Sequence, residues 1–491
     1  MNYSILFKLH SFILGALSIA FALSLGIALM EDNASRGDLA VTGFSFSLLA
    51  ASSLALGFWI LGRTGTNTLY HKEALATIGT GWLLASIVGA LPYILILPDL
   101  SPAEAFFESA SGLTTTGASI LSDLERLPRS LHFWRAISQW IGGLGVVVFF
   151  VAVLSFLGAG AKVLYSRESS AEAADLNASR VQEGVLRLLK LYLGLSFLCI
   201  LAYRFCGLSW FESVIHMFTS LSTGGFSTRS GSIADFANPA FEWTVILFMA
   251  IGGTSFLLMT ELLRRHWRNL LLSTEFRTYV LLIFVFTGLI SLFLFLDSAS
   301  TSGLHDTVRS AAFQVVSIMT TTGYATADFA QWLPVNQVLL VALMFIGGCS
   351  GSTAGGTKVI RFIVAARVAL HHVEKAYHTR VIRPLEVNGK SLSRNEQDSI
   401  IVYIVILGLV VFASTLLVAL LQPSMSFEGI ISTMAACLFN IGPGLAEIGP
   451  TENFSGLHGI TQVFLSLLMI TGRLELYAIL VLFSPALWKH F

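Results

Sequence analysis

Ser310-Ala-Ala-Phe-Gln-Val-Val-Ser-Ile-Met-Thr-Thr-Thr-Gly323 is one of four matched segments in this chain. The others are Glu104-Ala-Phe-Phe-Glu-Ser-Ala-Ser-Gly-Leu-Thr-Thr-Thr-Gly117, Glu212-Ser-Val-Ile-His-Met-Phe-Thr-Ser-Leu-Ser-Thr-Gly-Gly225 and Gly429-Ile-Ile-Ser-Thr-Met-Ala-Ala-Cys-Leu-Phe-Asn-Ile-Gly442. Each is semi-apolar, ends in hydroxyl or amide side chains and glycine, and is too short to cross a hydrocarbon layer of about 30 Å as a helix. Downstream of each lies a longer apolar run with a small-residue motif: Ile141-Gly-Gly, Ile251-Gly-Gly, Ile346-Gly-Gly and Ile470-Thr-Gly. The repeating unit is therefore helix, short helix, glycine turn, helix. A single Thr-Thr-Gly would be a polar turn at a helix end. Four at matched positions point to one shared site on a pseudo-fourfold axis.

The surrounding composition agrees. The 491 residues are 55% hydrophobic and 12% charged, with net charge +0 and mean hydropathy +0.76. Soluble proteins carry about 25% charged residues, so a soluble enzyme, a disordered chain and a nucleic-acid binder are excluded. Apolar runs predict ten spanning helices near 8–30, 43–62, 74–95, 132–157, 184–206, 240–263, 276–296, 335–365, 398–421 and 459–487. The short segments at 102–115, 209–223, 305–321 and 426–440 read as re-entrant helices that dip halfway and return. The expected organisation is a two-helix segment over 1–68, then repeats over 69–165, 180–270, 274–370 and 396–491. The Lys/Arg excess places both termini, and the basic stretch Lys358 to Arg394, on the cytoplasmic side, with the four short segments outside. The fold class is an all-α polytopic membrane protein: four pseudo-symmetric repeats around a central pore, preceded by two extra helices. Four cysteines lie in or beside apolar runs and read as free thiols.

This chemistry suits a cation. An ion crossing lipid must exchange its hydration shell for oxygen ligands, and rings of backbone carbonyls supply them without net charge. Aiming successive carbonyls at an axis needs backbone conformations that glycine adopts freely. The candidate ion-binding residues are Thr115, Thr116 and Gly117; Thr223, Gly224 and Gly225; Thr321, Thr322 and Gly323; and Asn440, Ile441 and Gly442. Short-helix C-termini directed at the pore centre favour a cation through the helix dipole. The acids Glu104, Glu212, Asp306 and Glu428 stand at the outer N-termini of these helices. They either cap the helices or also add negative potential at a pore mouth.

In these segments the chain resembles the membrane subunit of the Trk/Ktr/HKT potassium-transporter superfamily, closest to the bacterial Trk type. The likeness covers nearly the whole chain and includes the Asn440-Ile-Gly-Pro-Gly form of the fourth segment. It implies that Gly117, Gly225, Gly323 and Gly442 line a selectivity filter for K⁺. An intact Gly117, where Na⁺-favouring members often carry Ser, implies preference for K⁺. The resemblance also implies an inner-membrane location, homodimers, and a cytoplasmic ring of NAD- or nucleotide-binding Trk regulatory subunits. No cofactor is expected within this chain beyond K⁺ as the transported ion. A Na⁺-permeable carrier, or symport coupled to H⁺ or Na⁺, is the alternative on the same scaffold.

Gly347-Gly-Cys-Ser-Gly-Ser-Thr-Ala-Gly-Gly-Thr-Lys358 interrupts the third repeat's last helix. Its glycines, Gly347, Gly348, Gly351, Gly355 and Gly356, cannot sustain a helix. Irregular backbone at membrane depth must be buried in protein or line water, so this loop is placed in the pore below the filter. The resemblance makes it an intramembrane gate ending at Lys358. The stretch is no phosphate cradle: Thr357 separates Gly356 from Lys358, and no strand precedes it. Arg473, inside an apolar run, either pairs with Glu475 or snorkels, or it faces the cavity and anchors the gate loop; its family counterpart lies at the pore constriction. Arg135 and Gln139 read as packing and hydrogen-bonding residues, not ligands. The run containing His371, His372, Glu374 and His378 reads as a positive-inside anchor or a docking surface, as does the loop 158–183. No nucleophile–base pair or paired intramembrane acid accompanies the spans, so the chain is not expected to be an enzyme.

Overall fold

The computed structural model describes residues 1–31, 37–63, 71–156, 178–263, 267–297, 303–378 and 385–488. Most of the loop 158–183, and the expected junctions at 68/69 and 165, lie outside them.

Tyr3–Met30 and Gly37–Gly62 form an antiparallel pair at the front of the chain. Helices His71–Gly89, Ala178–Phe205, Thr274–Leu296 and Arg394–Leu421 each lead into a short helix. These short helices are Pro102–Leu113, Trp210–Leu221, Leu304–Met319 and Phe427–Leu438. Each then turns and passes into a further helix: Arg129–Phe156, Pro239–Gly252, Pro334–Met344 or Gly459–Arg473. The front pair joins the body through its own core. Phe21 and Trp134 rings sit 4.5 Å apart, and both side chains are fully buried.

The short helices start where the sequence provides caps. Ser101 with Glu104, and Ser209 with Glu212, form reciprocal capping boxes. The Ser426 hydroxyl accepts the Gly429 N–H. The third short helix has Gly303 at this position and no side-chain cap.

The ten spans need correction in three places. The run at 240–263 breaks after Gly252 and bends by 100° before Phe256–Leu263. The run at 459–487 breaks after Arg473 and bends by 115°, with Glu475 and Leu476 at positive φ. The run at 335–365 ends at Met344 and resumes at Val359, with the Gly-rich loop between. Among the described residues six helices are long and apolar enough to cross a membrane, or eight if each bent pair is one span. Hydropathy averaging hid the first two breaks, because the apolar residues around them keep the window mean high; the third is the interruption expected from the glycines between Gly347 and Lys358.

The close approach of the later helices depends on the small-residue motifs. A Cβ on Gly142 would stand 1.9 Å from the Leu113 carbonyl oxygen, and one on Gly472 would stand 1.7 Å from that of Leu438. Only glycine lets these helices rest on the C-termini of the short helices. The one sheet among the described residues is a hairpin, Glu386–Val387 with Lys390–Ser391. It buries Val387 and Leu392 against Val364, Val368 and Ile400.

Candidate functional site

The four glycine segments share one backbone. Each short helix closes in a Schellman cap with a non-glycine residue in the left-handed position: Thr115 (φ 53°), Thr223 (φ 55°), Thr321 (φ 57°) and Asn440 (φ 56°). The next residue's N–H reaches back to the helix in all four: Thr116 to Ser111 (2.9 Å), Gly224 to Thr219, Thr322 to Ser317 and Ile441 to Ala436 (each 2.8 Å). The glycine that follows is again left-handed: Gly117 (φ 80°), Gly225 (φ 81°), Gly323 (φ 79°) and Gly442 (φ 101°). Left-handed threonine costs of order 1–3 kcal/mol, and the chain accepts it three times at equivalent points.

The segments meet one another in a closed cycle. A Cβ on Gly117 would lie 2.4 Å from the Gly224 carbonyl oxygen, one on Gly225 would lie 1.9 Å from that of Thr322, and one on Gly323 would lie 1.9 Å from that of Ile441. A Cβ on Gly442 would lie 2.8 Å from the Thr116 oxygen, which closes the ring. Above the ring lies a cavity of about 320 Å³ whose lining includes all four glycines.

The ring is braced in three ways across its four quadrants. In the first and third segments the hydroxyls of Thr114 and Thr116, and of Thr320 and Thr322, pair at 2.7 Å. In the fourth, Asn440 Nδ2 donates to Thr116 Oγ1 (3.0 Å) and to the Met469 carbonyl (2.9 Å). In the second, Gln139 Nε2 donates to the Gly224 carbonyl (2.6 Å), and Gln139 Oε1 accepts the Phe226 N–H (3.2 Å). One helical turn earlier, Arg135 donates to the Ser227 carbonyl (3.1 Å) and forms a buried ion pair with Glu108 (2.9 Å). Its guanidinium also covers the Phe226 ring at 4.1 Å. Gln139 and Arg135 thus hydrogen-bond and pack, as read from the sequence.

None of the four acids lines the 320 Å³ cavity; its acidic lining residues are Asp123 and Glu452. Glu104 and Glu212 serve in their capping boxes, and Glu212 also pairs with Arg229 at 3.2 Å. Asp306 pairs with Arg309 at 2.8 Å. Glu428 lines a smaller neighbouring cavity of about 190 Å³ beside Asp328 and Glu452.

The Gly-rich loop packs against the other face of the ring. Its feet are joined by the Gly347 N–H to the Thr357 carbonyl (2.8 Å). Gly355 N–H donates to Thr321 Oγ1 (2.6 Å), and a Cβ on Gly355 would stand 2.7 Å from the Phe439 carbonyl oxygen. Thr353 Oγ1 donates to the Leu221 (2.9 Å) and Gly252 (3.0 Å) carbonyls, while Cys349 N–H reaches the Gly253 carbonyl (2.8 Å). The loop therefore touches the second, third and fourth segments together. Gly348 is also packed on Gly253, and Gly351 and Gly356 are left-handed. Lys358 Nζ folds back to the Ala354 carbonyl (2.5 Å). Arg473, 4% exposed, donates Nη1 to the Thr353 carbonyl at 2.8 Å. Its Nε and Nη2 find no partner among the described residues. Glu475 pairs instead with Arg361, so of the two readings of Arg473 the loop contact is the one present.

Two buried acids escaped the sequence reading. Glu108 holds Arg135, and Glu275 accepts hydrogen bonds from Ser350 N–H (2.8 Å) inside the loop and from Ile360 N–H (3.2 Å) just beyond its end. An acid inside a semi-apolar helix, or in the first turn of a spanning one, was the available signal. None of the four cysteines is in a disulfide, and Cys206 is only partly buried.

A family model described as TrkH, cation transport protein, matches residues 44–490. The Trk system potassium uptake protein TrkH of Escherichia coli K12 is 33% identical, covering 91% of this chain and 93% of that protein. The Trk system potassium uptake protein TrkI of Halomonas elongata is 33% identical, covering 96% and 94%. The crystal structure of the potassium transporter TrkH from Vibrio parahaemolyticus superposes with a TM-score of 0.90 at 28% identity over 100% of both chains.

Proposed function

This chain belongs to the TrkH cation transport protein family, a family of multi-pass membrane transporters rather than enzymes, and from that premise we propose that it is a potassium uptake pathway whose filter is the glycine ring. The observation that carries this reading is the closed cycle of contacts among Gly117, Gly225, Gly323 and Gly442. Alternating left- and right-handed backbone turns successive carbonyls toward one side of a chain. Four such chains around one axis make cages of oxygen that replace water around a dehydrated cation. Thr115, Thr116, Thr223, Gly224, Thr321, Thr322, Asn440 and Ile441 complete these cages.

Ions enter from the 320 Å³ cavity, where Asp123 and Glu452 join the more distant Glu104, Glu212, Asp306 and Glu428 in drawing cations to the mouth. The loop from Gly347 to Lys358 is the gate, held shut by Arg473 through Thr353. The unpartnered Arg473 donors add a positive charge beneath the filter that repels cations while the gate is closed. The membrane potential drives uptake, since moving one charge through 100 mV releases about 2.3 kcal/mol. The chain works in the bacterial inner membrane with both termini cytoplasmic, as a homodimer. A cytoplasmic NAD- or nucleotide-binding regulatory subunit acts on the basic stretch that ends at Arg394.

Ion-replacement flux in proteoliposomes tests the reading. Saturating K⁺ and Rb⁺ uptake that exceeds Na⁺ and Li⁺ uptake, needs no Na⁺ or H⁺ gradient, and loses selectivity in Gly117→Ser supports it. Uptake that requires a Na⁺ or H⁺ gradient assigns coupled symport. Unchanged selectivity in Gly117→Ser removes the filter from these segments.

A further inference from the structure

The second glycine segment departs from the pattern of the first and third. They read Thr-Thr-Thr-Gly, whereas it reads Ser222-Thr-Gly-Gly225. Gly224 stands where the others have Thr116 and Thr322. Its backbone gives no reason for glycine, because it is absent from the positive-φ positions. The reason lies across the repeat boundary. A Cβ on Gly224 would fall 2.4 Å from both Cδ and Oε1 of Gln139. Gln139 is fully buried and grips the segment from both sides of Gly225, donating to the Gly224 carbonyl and accepting the Phe226 N–H. It does for this segment what a neighbouring strand does for a strand edge.

A second observation agrees. In the first and third segments the threonine hydroxyl at this position pairs with the hydroxyl two residues earlier, on Thr114 or Thr320. The corresponding group in the second segment is Ser222 Oγ, which is buried and has no partner among the described residues. The hydroxyl brace has been removed here, and its remaining half is still in place.

From these contacts we infer that Gln139 is a selectivity-determining residue that fixes the Gly224 carbonyl in the ring and withdraws electron density from it. The inference rests on the filter reading above. The Gly224 oxygen is the one that faces Gly117, so the first and second quadrants meet at an oxygen already occupied by a donor. A carbonyl so engaged is a weaker ligand, and one held less freely, than the Thr116, Thr322 and Ile441 oxygens. Gln139 acts through Gly224 and Gly225 and is a positioning residue, not a ligand.

The test uses the full chain in vesicles of phosphatidylethanolamine and phosphatidylglycerol, with K⁺, Rb⁺ and Na⁺ as probes. Gln139→Ala, Gly224→Thr, the double variant and Gly225→Ser are compared with the parent. In Gln139→Ala, Rb⁺ flux persists while the K⁺/Na⁺ permeability ratio falls by up to about tenfold, the change expected when a hydrogen bond of typical net strength is lost. Gly224→Thr alone loses flux. In the double variant Thr at 224 has room and can pair with Ser222 Oγ, so flux returns. An unchanged ratio in Gln139→Ala overturns the inference, as does tolerated Gly224→Thr beside intact Gln139, or a double variant no better than Gly224→Thr. If Gln139→Ala does not assemble, Gly224→Thr and the double variant still decide. A purely structural role would lower folded yield and leave the ratio of the surviving protein unchanged. If Gly225→Ser also keeps its selectivity, the filter reading itself fails. If Gly225→Ser loses selectivity and Gln139→Ala keeps it, only the present inference falls.

Discussion

Glu108 has no exposed surface, and its carboxylate meets Arg135 at 2.9 Å and accepts the Ile120 N–H at 3.0 Å. Removing one partner of such a pair strands the other charge in a dry site. Glu108→Ala should therefore destabilise the protein by about 3–5 kcal/mol, whereas replacing both partners by apolar residues of similar size costs much less. Thermal unfolding of the detergent-purified variants measures the difference. Gly225→Ala adds a Cβ 1.9 Å from the Thr322 oxygen. Cation uptake in that variant should fall several-fold and lose its K⁺/Na⁺ discrimination, measured by ion-replacement flux. At this scale the sequence was readable where it repeated. The threonines and glycines stood out because four copies aligned, and the left-handed Thr115, Thr223, Thr321 and Asn440 lie within those copies. Glu108, Glu275 and the grip of Gln139 on Gly224 were not readable as contacts. Each depends on a partner in another element, and no local pattern announces the pairing.

Helices and loops carry the gating argument. The Gly-rich loop has few side chains of its own to bury, so its position depends on hydrogen bonds from neighbours. Arg473→Ala removes the bond to Thr353, and Glu275→Ala removes those to Ser350 and Ile360. Both should raise basal K⁺ flux several-fold in proteoliposomes while leaving the K⁺/Na⁺ ratio unchanged, since neither touches the ring. Loss of selectivity together with the leak would place these residues in the filter instead. The start of the fourth short helix offers a pH test. Partial burial opposes ionisation of Glu447, but hydrogen bonds from the Ser426 N–H (2.8 Å) and hydroxyl (2.9 Å) outweigh it and hold its pKa below the ordinary carboxylate value. A depressed folded-state pKa gives stability above the unfolded value and loses it as pH falls through the folded one. Melting temperatures of the parent and Glu447→Gln should differ at neutral pH and converge below the ordinary carboxylate range. Element type was legible from hydropathy and caps. The breaks after Gly252 and Arg473 were not, because a bend is set by which carbonyls a neighbouring loop supplies, and mean hydropathy is blind to that.

Across the whole molecule, the front pair, the four short helices and the helices resting on them surround a ring with a cavity of about 320 Å³ above it. If that cavity faces outward, Ser122→Cys in a cysteine-free background, at an exposed lining position, should react with a membrane-impermeant thiol reagent in intact cells. Reaction only after the membrane is opened would invert the proposed topology. The contacts between segments carry one more consequence. In an assembly of four identical chains, any change to the ring would strike every quadrant at once. Here one polypeptide supplies all four, so a mutation alters a single wall and leaves three untouched. Such a protein can drift in small steps, with each side free to acquire its own fastening, and the departures at Gly224 and Asn440 from the hydroxyl brace kept at Thr116 and Thr322 are what that freedom leaves behind.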